Sequence, residues 1–211
     1  IVERMITVAE AFGGHNESDF LRNVMIFFHS CVIAHCVPKS KELMMVVNFY
    51  FNLIRLGDEV PDEFLSLALS GFQSFAKEIP SLFLILETND GFNSTYRLLS
   101  HLNPQVSLRA LQVLSDVCAL PEDKFSIQML KRGFLNWITN PTLPHQLGHP
   151  LIFCLSNIVA DKNPDVLKIV IESNIYPNFL MPKLAQELST GFVDVDLAFC
   201  IGNAFLKADF D

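Results

Sequence analysis

The sequence predicts an all-α protein, a solenoid of stacked three-helix repeats, and three observations carry that prediction. Four short blocks stack in one register: Ala68-Leu69-Ser70-Gly71, Val113-Leu114-Ser115-Asp116, Cys154-Leu155-Ser156-Asn157 and Cys200-Ile201-Gly202-Asn203. Their second residues lie 45, 41 and 46 positions apart. Half of the residues are hydrophobic, yet nowhere do apolar and polar residues alternate across Asn-Gly hairpins as strands would require. Helices buried on more than one side account for both facts.

Each element follows from local signals. Residues 18–36 and 41–56 have helical apolar spacing, so residues 1–62 read as further helical repeats whose register the pattern leaves open. The next unit is predicted as helices at 63–77, 80–89 and 92–101. Then come 106–119, 122–132 and 134–140, followed by 149–160, 164–173 and 178–188, with a last helix from about 194. A second marker follows each of the first three blocks: Asn89-Asp90-Gly91-Phe92, Lys131-Arg132-Gly133-Phe134 and Ser173-Asn174-Ile175-Tyr176. Glycine or asparagine there suits a helix end that needs positive φ. Asn103-Pro104, Asn140-Pro141 and Pro144 supply a third break, because proline stops a helix and biases its predecessor towards extended backbone.

Repeat starts near 63, 106, 149 and 194 give the period of armadillo and HEAT repeats. Such units form a right-handed superhelical solenoid in which each repeat buries its apolar face against its neighbours. The expected organisation is one continuous solenoid fragment over 1–211, with no linker or domain boundary.

Composition narrows the function. The chain has 211 residues, 23.8 kDa and a formal charge of −8. Its 19 Phe argue against disorder, and its acidity argues against unaided binding to phosphate backbones, favouring a cationic partner. The longest apolar runs, Asn23 to Val37 and Leu43 to Leu56, are short for a bilayer and carry polar residues. Five cysteines, an odd number, suit a reducing compartment. The sequons at Asn16 and Asn93 are three-residue matches that chance supplies often. The chain begins at Ile1 and reads as a fragment.

Two stretches resemble a known family. Phe153-Cys154-Leu155-Ser156-Asn157-Ile158-Val159-Ala160-Asp161 resembles the third helix of an importin-alpha armadillo repeat, where a Trp precedes an Asn by four residues in runs such as W-A-L-S-N-I. Asp196-Leu197-Ala198-Phe199-Cys200-Ile201-Gly202-Asn203 is similar to the family's E-A-A-W-A-I-S-N. The armadillo period covers residues 63 to 211, and the specific motif covers two repeats. The resemblance implies an adaptor for nuclear import, shared between cytoplasm and nucleus. It would bind the basic nuclear localisation signal of a cargo, with an importin-beta-like carrier as a second partner and no cofactor. Carried over, Phe153 and Phe199 replace the Trp rings that hold Lys and Arg stems, and Asn157 and Asn203 clamp the peptide backbone. Asp161 and Asp196 match acids that pair with its cations.

The chemistry holds apart from the resemblance. Residues four apart share a helix face, an amide offers both donor and acceptor, and rings attract cations. Each residue also has a plainer reading. The rings suit core packing, the amides suit local capping, and the acids suit a solvated helix end. The pattern departs from the family at Leu67 and Gln112 in the ring position and at Gly71 and Asp116 in the clamp position. Lys207 stands four residues after Asn203, and the single Trp137 falls in a short middle helix.

Other chemistry finds little support. Cys154 and Cys200 occupy a slot filled by Ala68 and Val113 in earlier repeats, which reads as small apolar core. His29, Cys31, His35 and Cys36 lack paired metal-ligand spacing, and His145 and His149 are separated by Gly148 with prolines outside them. Carboxylates are scattered singly apart from Asp194 and Asp196, and no nucleophile elbow, Walker loop or dinucleotide fingerprint is present. The expectation is a non-enzymatic basic-peptide adaptor. The alternative is an armadillo scaffold assembling with a folded partner, and an enzyme or lipid-binding helical domain ranks behind both.

Overall fold

Every regular element is helical, with no strand among the described residues. The computed structural model describes residues 7, 18–34, 40–87, 90–120, 124–140, 143–144 and 147–207, with backbone alone at 18, 40 and 204–207. Asn16, His35, Cys36, Asn89, Pro141, His145 and the Lys207 side chain lie outside the described residues. The helices are α1 (Ser18–Ile33), α2 (Ser40–Leu56), α3 (Asp62–Glu78), α4 (Gly91–Arg97), α5 (Pro104–Cys118), α6 (Lys124–Lys131) and α7 (Phe134–Ile138). They continue as α8 (Gly148–Ala160), α9 (Pro164–Glu172), α10 (Met181–Thr190) and α11 (Val195–Lys207). No helix among the described residues is long and apolar enough to cross a membrane. Two compact units divide at Val113–Leu114, inside α5.

Local chemistry explains the boundaries. Asn103-Pro104 starts α5 rather than ending an element: the Gln105 N–H donates to Asn103 Oδ1 at 2.9 Å, and Pro104 occupies a position whose N–H would go unused. Asn163-Pro164 opens α9 in the same way, with Asn163 accepting from the Asp165 N–H. Gly133 and Asn174 take positive φ, 83° and 61°, as the repeat markers predict. In the first marker the left-handed residue is Asp90, at φ 61°.

Two predicted helices have a different winding. Residues 80–87 form a 3-10 helix, which stacks side chains three apart and buries both Phe83 and Leu86. The segment predicted at 178–188 begins as a π-helical turn, Tyr176–Leu180, in which the Met181 N–H reaches the Tyr176 carbonyl. Pro182 has no N–H to offer that turn, so the regular ladder cannot run through it.

In the first unit, α1 and α2 pack on α3 around Phe28, Tyr50, Phe72 and Phe75, all fully buried. Burying a Phe side chain contributes about 1.5–3 kcal/mol, so each of these rings is a substantial part of the unit's core. Tyr50 donates its hydroxyl to the Met25 carbonyl at 3.0 Å, and burial pushes its pKa above the ordinary tyrosine value. Its ring lies directly over Gly71, where a Cβ would stand 2.6 Å from Tyr50 Cζ. Arg22 on α1 forks onto Glu63 of α3 at 2.5 and 2.7 Å.

In the second unit, α8 packs along α11 and α6 along α9. Leu155, Ile158, Val166, Val170, Leu197 and Cys200 are closed off from solvent. Cys154 and Cys200 are both completely buried. Burial raises the Cys154 thiol well above its usual value, and it raises Cys200 to about 12, with the Asp196 and Asp194 carboxylates adding to the shift. Both are thiols at neutral pH.

Candidate functional site

Helices α8 and α11 carry the residues singled out by the repeat motif. On α8, His149, Phe153 and Asn157 recur every four residues and so lie along one face. On α11, one repeat later, Val195, Phe199 and Asn203 do the same. Helix packing leaves both rings facing outward, Phe153 42% exposed and Phe199 45%. The neighbouring positions Cys154, Leu155, Leu197 and Cys200 turn into the core, so the rings occupy the side of each helix that its partners do not cover.

The two amides differ. Asn157 is half-buried, and its Nδ2 donates to the Ser115 carbonyl at 3.0 Å and contacts Ser115 Oγ at 3.1 Å. Its donor side is therefore taken by α5, one repeat earlier. Its carbonyl oxygen has no partner among the described residues. Asn203 is half-exposed near the end of α11.

The two acids belong to different helix ends, Asp161 to the C-terminal end of α8 and Asp196 to the N-terminal end of α11. Asp161 follows the last turn of α8, and its Oδ1 accepts from the Asn163 N–H at 2.9 Å, forming the turn into α9. It borders an open concavity shared with Lys162, Lys168 and Glu172, where the acids meet as many cations. Asp196 stands at the start of α11. Ser156 Oγ lies 3.3 Å from Asp196 Oδ1 and 2.8 Å from the Phe153 carbonyl, sharing one proton between them. From His149 to Asp161 the helix rises about 18 Å. The motif thus gathers Phe153, Asn157, Phe199, Asn203 and Asp196 onto two adjoining helices and leaves Asp161 at the far edge.

Sequence reasoning passed over one cluster. His149 Nδ1 lies 2.7 Å from Asp194 Oδ2, and Asp196 stands close enough that one ligand atom from each of the three fits within 4.8 Å. Partial burial works to raise the Asp194 pKa, but hydrogen bonds from His149 and from the Asp196 N–H outweigh it and hold the carboxyl below its usual range. The signal was available, since His149 and Asp194 are 45 residues apart, one repeat period.

In the earlier repeats the equivalent positions lack this chemistry. Leu67 and Gln112 are half-buried, and Gly71 serves the Tyr50 ring.

No known protein family and no curated protein sequence matches the chain. Solved structures do. A designed armadillo repeat protein in complex with the peptide (KR)4 superposes with a TM-score of 0.71 at 11% identity, over 96% of this chain and 81% of that one. An engineered protein known from its crystal structure gives 0.72 at 12% identity, over 96% and 78%. At such identities the likeness establishes architecture: the chain has the all-α armadillo-type repeat fold.

Proposed function

We propose that this protein is a non-enzymatic adaptor of the importin-alpha type, which binds an extended Lys/Arg-rich peptide across α8 and α11. In that role it would carry nuclear-localisation-like motifs between cytoplasm and nucleus, with an importin-beta-like carrier as a further partner. One observation carries the reading. Two exposed Phe rings stand in equivalent positions of successive repeats, each one turn from an asparagine, in a chain of net charge −8. The designed neighbour with a (KR)4 peptide supports peptide binding as a use of this architecture.

The mechanism follows from the side chains. An apolar ring beside an acid accepts the aliphatic stem of Lys or Arg while its head stays in water. Each such cation–π contact contributes about 0.5–1 kcal/mol at an exposed site. The Asn157 carbonyl oxygen accepts a peptide N–H, its orientation fixed by the bonds to Ser115. Asn203 supplies the second clamp, and Asp196 meets a cation between the rings. With Leu67 and Gln112 in the earlier ring positions, the surface reads a short motif through two subsites.

Titrating a labelled Lys/Arg-rich peptide by fluorescence anisotropy, at low and physiological salt, tests this. Saturable binding weakens with salt, exceeds that of a charge-scrambled peptide, and disappears in Asn157→Ala/Asn203→Ala. Absence of binding by folded protein sinks the reading. A scaffold role with a folded partner is favoured by a different feature: α10 has no buried residue, and Leu188, Phe192 and Val195 stand exposed around it. Such an apolar contact would be nearly indifferent to salt.

A further inference from the structure

The His149–Asp194–Asp196 cluster presents a donor set that a first-row divalent cation would use. Its ligands are brought together from two helix starts: His149 from the first turn of α8, Asp194 just before α11, and Asp196 in the first turn of α11. Asp194 is 16% exposed, whereas the His149 ring is 68% exposed and has room to rotate. Asp194 is already positioned by its surroundings. Its Oδ1 accepts the Asp196 N–H at 2.8 Å, and its own N–H donates to Glu187 Oε2 at 2.8 Å. That leaves Oδ2 for His149. Asp196 is braced by Ser156 Oγ, which leaves its second oxygen for another contact. Metal ligands held by outer hydrogen bonds in this way need little further ordering.

Charge points the same way. Two carboxylates converge within 4.8 Å, facing one imidazole, while Glu187 behind them is already paired with Lys183 at 3.3 Å. A single imidazolium cannot neutralise both, and a divalent cation can. We infer that the His149, Asp194 and Asp196 side chains form a zinc-class divalent cation site joining the N-terminal ends of α8 and α11. One imidazole nitrogen and two carboxylate oxygens at about 2.0–2.2 Å match zinc's preferred ligands and leave a fourth position for water. Oxygen-seeking Mg²⁺ and Ca²⁺ gain nothing from the imidazole. Binding needs His149 Nδ1 unprotonated, so any proton there leaves for solvent as the metal enters.

The site shares Asp196 with the proposed peptide surface, so it is tested in the absence of peptide, by calorimetric titration of the whole chain with Zn²⁺ in peptide-free buffer. The expected result is one saturable site, accompanied by a rise in Tm. His149→Ala and Asp194→Asn each weaken it roughly tenfold or more. Asparagine caps a helix as well as aspartate does, so Asp194→Asn keeps the start of α11 while changing the ligand. His149 is exposed enough for its alanine variant to fold. Mg²⁺ and Ca²⁺ bind more weakly than zinc. No saturable zinc binding, zinc binding of equal strength in both variants, or tighter binding of Mg²⁺ or Ca²⁺ would each overturn the assignment.

Discussion

The two compact units use one repeat register in opposite ways. In the first, the aromatic residues turn inward: Phe28, Tyr50, Phe72 and Phe75 fill the core, and the position that carries asparagine later is Gly71, kept bare for the Tyr50 ring. In the second, the register positions bear Phe153 and Asn157, then Phe199 and Asn203, with both rings turned outward. Small residues at Ala68, Cys154 and Cys200 bury one face of the repeat helix in both units. What differs is the adjacent face, covered by a packed ring in one case and left open in the other. A repeat motif therefore predicts where a residue stands more securely than what it does there.

Breaking the first unit's arrangement gives the largest expected effect. Gly71→Ala places a methyl group 2.6–2.9 Å from two ring carbons and the hydroxyl of Tyr50, a side chain that is itself fully buried, so something must shift. Overpacking of this kind costs about 1–3 kcal/mol, read as a lower urea midpoint. In a Tyr50→Leu background the added methyl has space, and Gly71→Ala then costs much less. An equal cost in both backgrounds would show that Gly71 is not there for the ring.

The second unit answers to a different experiment. Phe153→Ala and Phe199→Ala leave the unfolding free energy from urea titration within about 1 kcal/mol of the parent, since both rings are over two-fifths exposed. Each weakens basic-peptide binding several-fold through loss of a ring contact. The asparagines then split. Asn157→Ala lowers peptide affinity and also destabilises by about 0.5–1.5 kcal/mol, because the bonds to Ser115 go with it. Asn203→Ala lowers affinity with the smaller stability change. If the two alanine variants proved equally stable, Ser115 would not be what holds Asn157.

The recurring blocks were legible because they set covalent spacing: α3, α5, α8 and α11 fall where the period places them, and Gly133 and Asn174 take the left-handed backbone expected of them. What escaped depends on partners distant in the chain. Gly71 looks like a missing clamp until Tyr50 is seen above it, and Asn157 looks like a free amide until Ser115 is seen 42 residues back. Spacing within one helix cannot pair His149 with Asp194, because their proximity comes from stacking two repeats. Winding was illegible for a related reason. Apolar spacing over 80–87 fits both an α- and a 3-10 helix, because residues three apart, such as the buried Phe83 and Leu86, share a face in either.

The smallest effect sharpens the comparison from the electrostatic side. Arg22 forks onto Glu63 and also bonds Asp19, and hydrogen bonding from Arg22 holds the Glu63 carboxyl below its ordinary value. A depressed carboxylate adds stability that is present above the unfolded value, about 4.3, and is lost as pH falls through the folded value. The pair lies at the surface, so its contribution at neutral pH is slight and salt-screened. Glu63→Gln should therefore lower Tm by a small amount at pH 7, and the gap from the parent should close in acid and narrow in high salt. The zinc-class cluster in the second unit lies far along the chain, so adding EDTA should leave this gap unchanged. A gap that persisted undiminished at pH 2.5 would mean that Glu63 stabilises α1 against α3 by packing, and that the first unit owes nothing measurable to this ion pair.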